Sequence, residues 1–265
     1  MTGIVYALAT WVLTYALHST AFCALALLGQ RALPRPAQRD PAWKLALIAP
    51  PLTALAALLG AGPRVELPSL LRAAAPGTWA PPELAVDVVR TADGETVTRT
   101  VVDGAAWGLA LGVLVLAAVP AAWAVVRYAA ARRDFGRVLH GRRPASPEAL
   151  GVDAGGLSWL RLSTSDRLAA PVALGGAEVC VPHGLLPRLS MDQRRALLAH
   201  EAAHLERRDP FWIAAAEWIA ALSGFQPLAG RVVAALRRDA ELLCDEAAVR
   251  RTGDAAALAR ALATL

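Results

Sequence analysis

Lysine and cysteine are both scarce in this sequence of 265 residues. Lys44 is the only lysine, so the net charge of +5 comes almost entirely from arginine. The three cysteines, Cys23, Cys180 and Cys244, are far apart in the sequence, and no two of them form a C-x-x-C pair. This pattern argues against a disulfide framework and against a zinc ribbon. The last two cysteines, Cys180 and Cys244, are consistent with a reducing compartment.

Charged side chains are missing from a long stretch at the N-terminus. Residues 3–29 carry none, and this stretch exceeds the roughly 20 residues that a helix needs to cross a bilayer. A cleaved signal peptide is the alternative, but its basic n-region is lacking and the apolar run is too long. Residues 43–60 and 105–126 are similarly apolar, with tryptophans near their ends. The sequence therefore predicts a membrane module of three spans in residues 1–127.

The distribution of arginine predicts the orientation of these spans. The loop between the first two has one acid, Asp40, and four basic residues: Arg31, Arg35, Arg39 and Lys44. The segment after the third span is also basic, whereas residues 63–104 hold four arginines against six acids. Because basic loops stay in the cytoplasm, residues 63–104 are predicted to form an extracytoplasmic loop, with the N-terminus outside. The basic balance then reflects topology, and no direct contact with nucleic acid is expected.

Residues 128–265 have a different composition and are predicted to form a cytoplasmic domain. Within residues 170–181, two short apolar runs are joined by Gly175-Gly176, which predicts a tight β-hairpin. The preceding "LSWLRLSTS" is a further candidate strand. Residues 177–181 are expected to offer a free edge to an extended peptide. A hairpin that only covers the core is the alternative.

Helices are predicted after the hairpin. Ser190 and Gln193 form a capping box, so a helix is expected from Ser190 to about Arg208, with Asp209-Pro210 as N-cap and first residue of the next helix. Residues 210–223 are apolar but too short for a span, which predicts a membrane-adjacent helix. A further helix carries "RRDAELLCDEAAVRR" and ends at Gly253. Arg207 and Arg208 are interpreted as a basic helix end that favours the helix dipole and lipid head groups.

The stretch "LLAHEAAHLERRDP" contains an H-E-x-x-H motif. His200 and His204 are one helical turn apart, so both imidazoles can reach one metal ion, and Glu201 projects beside it, where it can take a proton from a water molecule. This arrangement is typical of zinc hydrolases. The alternative is an ordinary amphipathic helix in which Glu201 pairs with an arginine.

A catalytic zinc site needs a third protein ligand. Glu241 in "ELLCDEAAV" is the predicted carboxylate ligand, and Asp245, one turn later, is placed to hold a ligating histidine by a hydrogen bond. Glu246 is the alternative ligand. Cys244 could also bind zinc, although a lone cysteine in an apolar helix usually serves packing.

Three segments, "APVALGGAEVCVPHGLLPRLS", "LLAHEAAHLERRDP" and "RRDAELLCDEAAV", follow three apolar stretches in this order. Together they resemble the BlaR/MecR family of integral membrane zinc metallopeptidases, a group of gluzincins. The resemblance implies zinc bound by His200, His204 and Glu241, with Glu201 as the catalytic base. It also implies a multi-span α-helical membrane protein with a cytoplasmic, mainly α (α+β) zincin-like peptidase domain that contains a small β-sheet.

The resemblance also suggests a task. The best-known members sense β-lactams outside the cell and trigger proteolysis that removes a winged-helix repressor, so a protein substrate of this kind is the expected partner. The sequence has no S-x-x-K motif, and drug sensing is not predicted. Two alternatives stay open: a quality-control protease for membrane proteins, and a non-catalytic receptor whose structural zinc has a fourth ligand such as Cys244 or Glu246. A homodimer is also left open.

Overall fold

A computed structural model of the protein describes residues 2–63, 65, 85–90, 96–101, 104–146 and 157–265. Most of the predicted extracytoplasmic loop, residues 63–104, lies outside these residues. Within that loop, strands β1 (Ala85–Arg90) and β2 (Thr96–Val101) pair in antiparallel fashion.

The three predicted spans are confirmed as helices: α1 (Thr2–Gly29), α2 (Pro36–Leu58) and α3 (Gly104–Leu139). Each is long and apolar enough to cross a membrane. Helix α2 begins at Pro36 rather than at residue 43, because a proline in the first turn costs no helical hydrogen bond. Helix α3 continues to Leu139, so it runs through the predicted domain boundary at residues 127 and 128.

The predicted hairpin belongs to a four-stranded sheet. Its strands are β3 (Arg143–Ala145), β4 (Arg161–Ser165), β5 (Val172–Leu174) and β6 (Glu178–Pro182), in the order β3-β4-β6-β5. Strands β5 and β6 form the hairpin, and β4 is the strand predicted at "LSWLRLSTS". Strand β3 was not predicted.

Two details of the predicted hairpin were wrong. The turn spans residues 175–177, and the left-handed backbone angles fall on Gly176 (φ 77°) and Ala177 (φ 62°), not on Gly175-Gly176. The predicted free edge at residues 177–181 is also absent, because β6 pairs with β4 on one side and with β5 on the other. Strand β5 has the open edge instead.

Helix α4 (Met191–Glu206) carries the H-E-x-x-H motif and begins where the capping box predicts. The Ser190 backbone N–H donates to Gln193 Oε1 at 2.7 Å, and the Gln193 N–H donates to Ser190 Oγ at 3.3 Å. These bonds satisfy donors that a helix start leaves open. The start of the motif helix is therefore set by local sequence.

Helix α5 (Asp209–Leu222) follows α4 almost directly. Asp209 is not its N-cap, as the sequence suggested, because the cap position is taken by Arg208 in a left-handed conformation (φ 59°). The Asp209 carboxylate turns into the protein, where the residue is only 3% exposed. Helix α6 (Pro227–Thr252) comes next and ends at Gly253 (φ 72°), as predicted, and α7 (Ala255–Leu262) packs against α4.

The turn between α5 and α6 contacts the middle of two spans. Gln226 Nε2 donates to Thr20 Oγ1 of α1 at 2.7 Å. Gly224 packs so closely on Pro120 of α3 that a Cβ at position 224 would lie 2.6 Å from the Pro120 Cβ. The helix predicted to be membrane-adjacent, residues 210–223, therefore packs among the spans, and its C-terminal end reaches their middle.

Two apolar cores place the motif helices. One lies between the sheet and α4, and includes Val179, Val181 and Leu197. The other joins α1, α2, α5 and α6; its members include Cys23, Trp43, Ala216, Val232 and Leu236. The helix that carries Glu241 thus shares a core with the membrane spans, whereas the motif helix packs on the sheet.

Candidate metal site

Three of the predicted site residues meet between α4 and α6. His200 and His204 lie on successive turns of α4 and are 3% and 9% exposed, and their Nε2 atoms are 3.2 Å apart. Glu241 reaches across from α6, so that its Oε2 lies 3.4 Å from His200 Nε2 and 3.7 Å from His204 Nε2. The structure therefore brings two imidazoles and one carboxylate to a common point.

These separations fit a tetrahedral metal ion. Metal–nitrogen bonds of about 2.0–2.1 Å, as zinc forms, place neighbouring ligand atoms about 3.3–3.4 Å apart. The three observed distances lie around that value. Two histidines and one glutamate are also a donor set of catalytic sites, in which a fourth position stays open. This group can hold a divalent metal ion.

Asp245 lies beside His200, where the sequence predicted it. Its Oδ1 is 3.0 Å from His200 Nδ1. Both atoms are buried, and within the described part of the chain neither forms a hydrogen bond of good geometry, so that the two atoms have only each other as a close polar neighbour. A proton on His200 Nδ1 leaves the Nε2 lone pair free for a metal ion.

His204 is held by Asp209, a residue whose role the sequence analysis missed. His204 Nδ1 donates to Asp209 Oδ2 at 2.9 Å, and the same oxygen accepts hydrogen bonds from Arg207 Nε at 3.1 Å and from Cys244 Sγ at 3.5 Å. As with His200, a proton on Nδ1 leaves Nε2 free to bind a metal ion. The sequence does show an acidic residue five positions after His204. Because an aspartate before a proline is commonly an N-cap, the sequence analysis assigned Asp209 that role instead.

The structure corrects two other sequence interpretations and leaves a third, that of Cys244, open. Arg207 does not face lipid head groups, because it forms ion pairs with Asp209 and with Asp40. Glu246, the alternative ligand, does not join the two histidines, since its carboxylate pairs with Arg250 at 2.7 Å instead. Cys244 is fully buried with its thiol on Asp209 and lies outside the group formed by the two histidines and Glu241, but it forms a second group of possible metal donors with His204 and Asp209.

The charges around the group favour a cation. The close imidazoles of His200 and His204 hold the pKa of Glu241 well below its usual range. Burial by itself would lower the pKa of His204, but its hydrogen bonds, that with Asp209 above all, outweigh burial and raise the pKa to about 12. The protein without a metal thus keeps a positive charge on His204, and a bound metal ion would replace that charge.

Glu201 lies beside the three ligand candidates but does not join them. It is 8% exposed, and burial raises the pKa of its carboxyl group. The backbone N–H of Ala173, in the edge strand β5, donates a hydrogen bond to this carboxylate. A buried carboxylate with a raised pKa is a suitable proton acceptor.

The site opens into a cavity of about 880 Å³. His200, Glu201, His204 and Glu241 line it together with β5 and with faces of α3 and α5. Glu217 of α5 also lines the cavity and forms an ion pair with Arg237. The cavity gives a substrate access to the candidate metal site along an open strand edge.

A buried H-E-x-x-H helix, joined by a glutamate from a second helix that packs against spanning helices, is the arrangement of an integral membrane metallopeptidase. The family model described as BlaR1 peptidase M56 matches residues 11–256. The chain therefore belongs to the BlaR1 peptidase M56 family, which confirms the resemblance that its motifs indicated. A search of curated proteins finds no match to the chain.

Proposed function

We propose that the protein is a zinc endopeptidase, with His200, His204 and Glu241 as the metal ligands. The convergence of these three side chains, with Glu201 beside them, is the observation that carries the proposal. When bound, zinc would act as a Lewis acid and lower the pKa of a water molecule from about 15.7 towards neutrality.

The protein's own residues divide the remaining work. Asp245 and Asp209 lie against the Nδ1 atoms of the two histidines and would keep each ring turned with its Nε2 towards the metal ion. Glu201 accepts the proton of the attacking water and delivers it to the departing amine. Its low exposure supports this role, because burial keeps the carboxyl pKa high enough to retain the proton between the two steps.

Strand β5 is the proposed binding edge for the substrate. It is the outer strand next to β6, and it lines the cavity beside Glu201. An extended peptide can add to such an edge through main-chain hydrogen bonds, while pockets for its side chains provide the specificity.

Glu201→Gln is the direct test of this chemistry. Membrane-reconstituted protein is incubated with a proteome-derived peptide library, and cleavage is followed by mass spectrometry. We expect the variant to lose at least about 100-fold in rate, since general-base catalysis contributes roughly 10²–10⁴-fold, while it still binds zinc. His204→Ala is the matched variant, and it should lose both peptide cleavage and zinc binding. Wild-type activity in Glu201→Gln would contradict the proposal.

We further propose that the site faces the cytoplasm. The basic loop between α1 and α2 supports this orientation, as Arg31 and Arg35 are exposed there. All three native cysteines are buried, so single exposed cysteines can report topology. An impermeant maleimide should label Ala61→Cys in intact cells, and Asp192→Cys only after permeabilisation. The reverse pattern would contradict the orientation.

The proposed task is regulatory cleavage of a transcriptional repressor, and it is supported by family membership. Comparing the proteomes of cells with wild-type and Glu201→Gln protein tests it. One or two stabilised regulators would support the proposal, whereas many stabilised membrane proteins would indicate quality control. A zinc ion with Cys244 as a fourth protein ligand would instead support a structural site in a receptor.

A further inference from the structure

The first turns of α2 bind the helix that carries Glu241. Asp239 of α6 is fully buried and accepts two hydrogen bonds from Arg39, Nε to Oδ2 at 2.8 Å and Nη2 to Oδ1 at 2.9 Å. Trp43 Nε1, also fully buried, donates to Asp239 Oδ2 at 2.8 Å. Asp239 lies two residues before Glu241 in the same helix, so these three bonds set the position of that helix relative to the second span.

A second connection starts from the neighbouring residue of α2. Asp40 accepts a hydrogen bond from Arg207 Nη2 at 2.9 Å, Arg207 Nε donates to Asp209 at 3.1 Å, and Asp209 accepts from His204 at 2.9 Å. The chain of contacts runs from the second span to a ligand candidate without interruption. Lys44 also binds Asp40, at 2.6 Å, but takes no part in this chain.

Both connections are costly to break because their charged groups are largely buried. Asp239 is fully buried, and its carboxylate is bound by Arg39 and Trp43 through three hydrogen bonds. Removing one partner of such a pair leaves a buried charge uncompensated, which is strongly unfavourable. Helix α2 therefore cannot shift along its axis without disturbing the neighbours of two different ligands.

We propose that Arg39 and Asp40 are positioning residues through which the second membrane span sets the geometry of the metal site. Arg39 acts on Glu241 through Asp239, and Asp40 acts on His204 through Arg207 and Asp209. This inference rests on the proposed metal site. It gives the second span a role beyond anchoring, because a displacement of α2 would move two ligands that lie on different helices.

Zinc affinity and the absorption spectrum of the Co²⁺-substituted protein test this role in the full-length chain. Zinc affinity is measured by chelator competition, and the Co²⁺ spectrum reports ligand geometry. Asp40→Asn and Arg39→Lys should each weaken zinc binding by about tenfold, the lower end of the cost of losing a direct partner of a metal ligand, because each acts through further residues, and each should change the Co²⁺ spectrum. Asp40→Glu, which keeps the charge facing Arg207, should recover part of the affinity.

Two controls match these variants. Lys44→Met removes the other partner of Asp40, and Arg142→Gln breaks a two-bond ion pair with Glu178 on the sheet. Both should keep wild-type affinity and spectrum. If they weaken zinc binding as much as Asp40→Asn does, the effect is general destabilisation and the proposal is wrong.

The outcomes separate this inference from the proposed function. If the wild-type protein binds no zinc, or if His204→Ala binds it normally, the proposed metal site itself is wrong. If the wild type binds zinc and His204→Ala does not, but Asp40→Asn and Arg39→Lys match the wild type, only the positioning role is overturned. Should Arg39→Lys fail to fold, the neutral pair Arg39→Gln with Asp239→Asn replaces it, and unchanged zinc affinity in that pair would also overturn the inference.

Discussion

His200 and His204 direct their Nε2 atoms to the same point, but the protein holds their other ring nitrogens differently. His204 Nδ1 binds Asp209, a residue 3% exposed that also accepts from Arg207 and Cys244. His200 Nδ1 faces Asp245, whose side chain is 40% exposed and which lies on the same helix as Glu241. One histidine is thus held by a buried network that reaches a membrane span, whereas the other faces a single, partly exposed carboxylate.

This difference predicts unequal costs for removing the two carboxylates. Asp209→Asn should have the largest effect, because it leaves Arg207 and His204 without the buried charge that they share. We expect about 100-fold weaker zinc binding and a loss of about 3 kcal/mol in the free energy of unfolding. Chelator competition and thermal unfolding measure the two quantities. Equal effects of Asp209→Asn and Asp245→Asn would show that the two histidines are held equally strongly, which would contradict this prediction.

The proton on His204 makes zinc binding depend on pH. The pKa of His204 is raised to about 12 in the metal-free protein, so the ring is protonated below that value and zinc must displace the proton. Affinity should therefore fall about tenfold for each pH unit lowered between pH 8 and pH 6, as expected when binding releases one proton. Asp209→Asn removes the main cause of the raised pKa and should flatten this dependence. Titration calorimetry in buffers of different ionisation enthalpy counts the released protons.

Asp245→Asn should have a smaller effect. Asparagine keeps an oxygen that can accept from His200 Nδ1, and the position is partly exposed, so that little buried charge is lost. We expect about tenfold weaker zinc binding and a free energy of unfolding within about 0.5 kcal/mol of the wild type. A loss of stability as large as that of Asp209→Asn would show that the two sides are held alike.

Cys244→Ala should have the smallest effect on zinc. Its thiol is a weak donor, 3.5 Å from Asp209 Oδ2, and it is the least important of the three contacts on that oxygen. We expect zinc affinity within about threefold of the wild type, as a weak outer contact contributes less than the usual 10-fold. Collapse of zinc binding in this variant would instead identify Cys244 as a ligand.

Features encoded over short stretches of chain could be predicted. The apolar lengths of α1, α2 and α3, the capping box at Ser190 and the ending of α6 at Gly253 each depend on residues close in sequence. The H-E-x-x-H spacing likewise places two imidazoles on one helix face without help from the rest of the fold. Glu241 was predicted as a ligand from the segment "ELLCDEAAV", and in the structure its carboxylate lies beside the imidazoles of the two histidines.

Features that depend on long-range pairing could not be predicted. The open edge at β5 follows from the pairing of β4 with β6. The order of strands in a sheet cannot be predicted from the alternation of apolar and polar residues along a single strand. Arg39 and Asp40 were interpreted only as charges of a basic loop, because their partners Asp239 and Arg207 lie more than 160 residues away. Asp209 was assigned to the nearest backbone donors, although its carboxylate turns inward to His204.

By itself, the sequence determined the spans, the start of the motif helix and the donor types at the metal site, since helix length, capping and i,i+4 spacing are local properties of the backbone. Only the tertiary structure decided which carboxylate orients His204, which strand edge faces Glu201 and how the second span contacts the metal site. The reason is physical: a buried ionic group needs a partner of opposite charge, and packing chooses that partner from the whole chain.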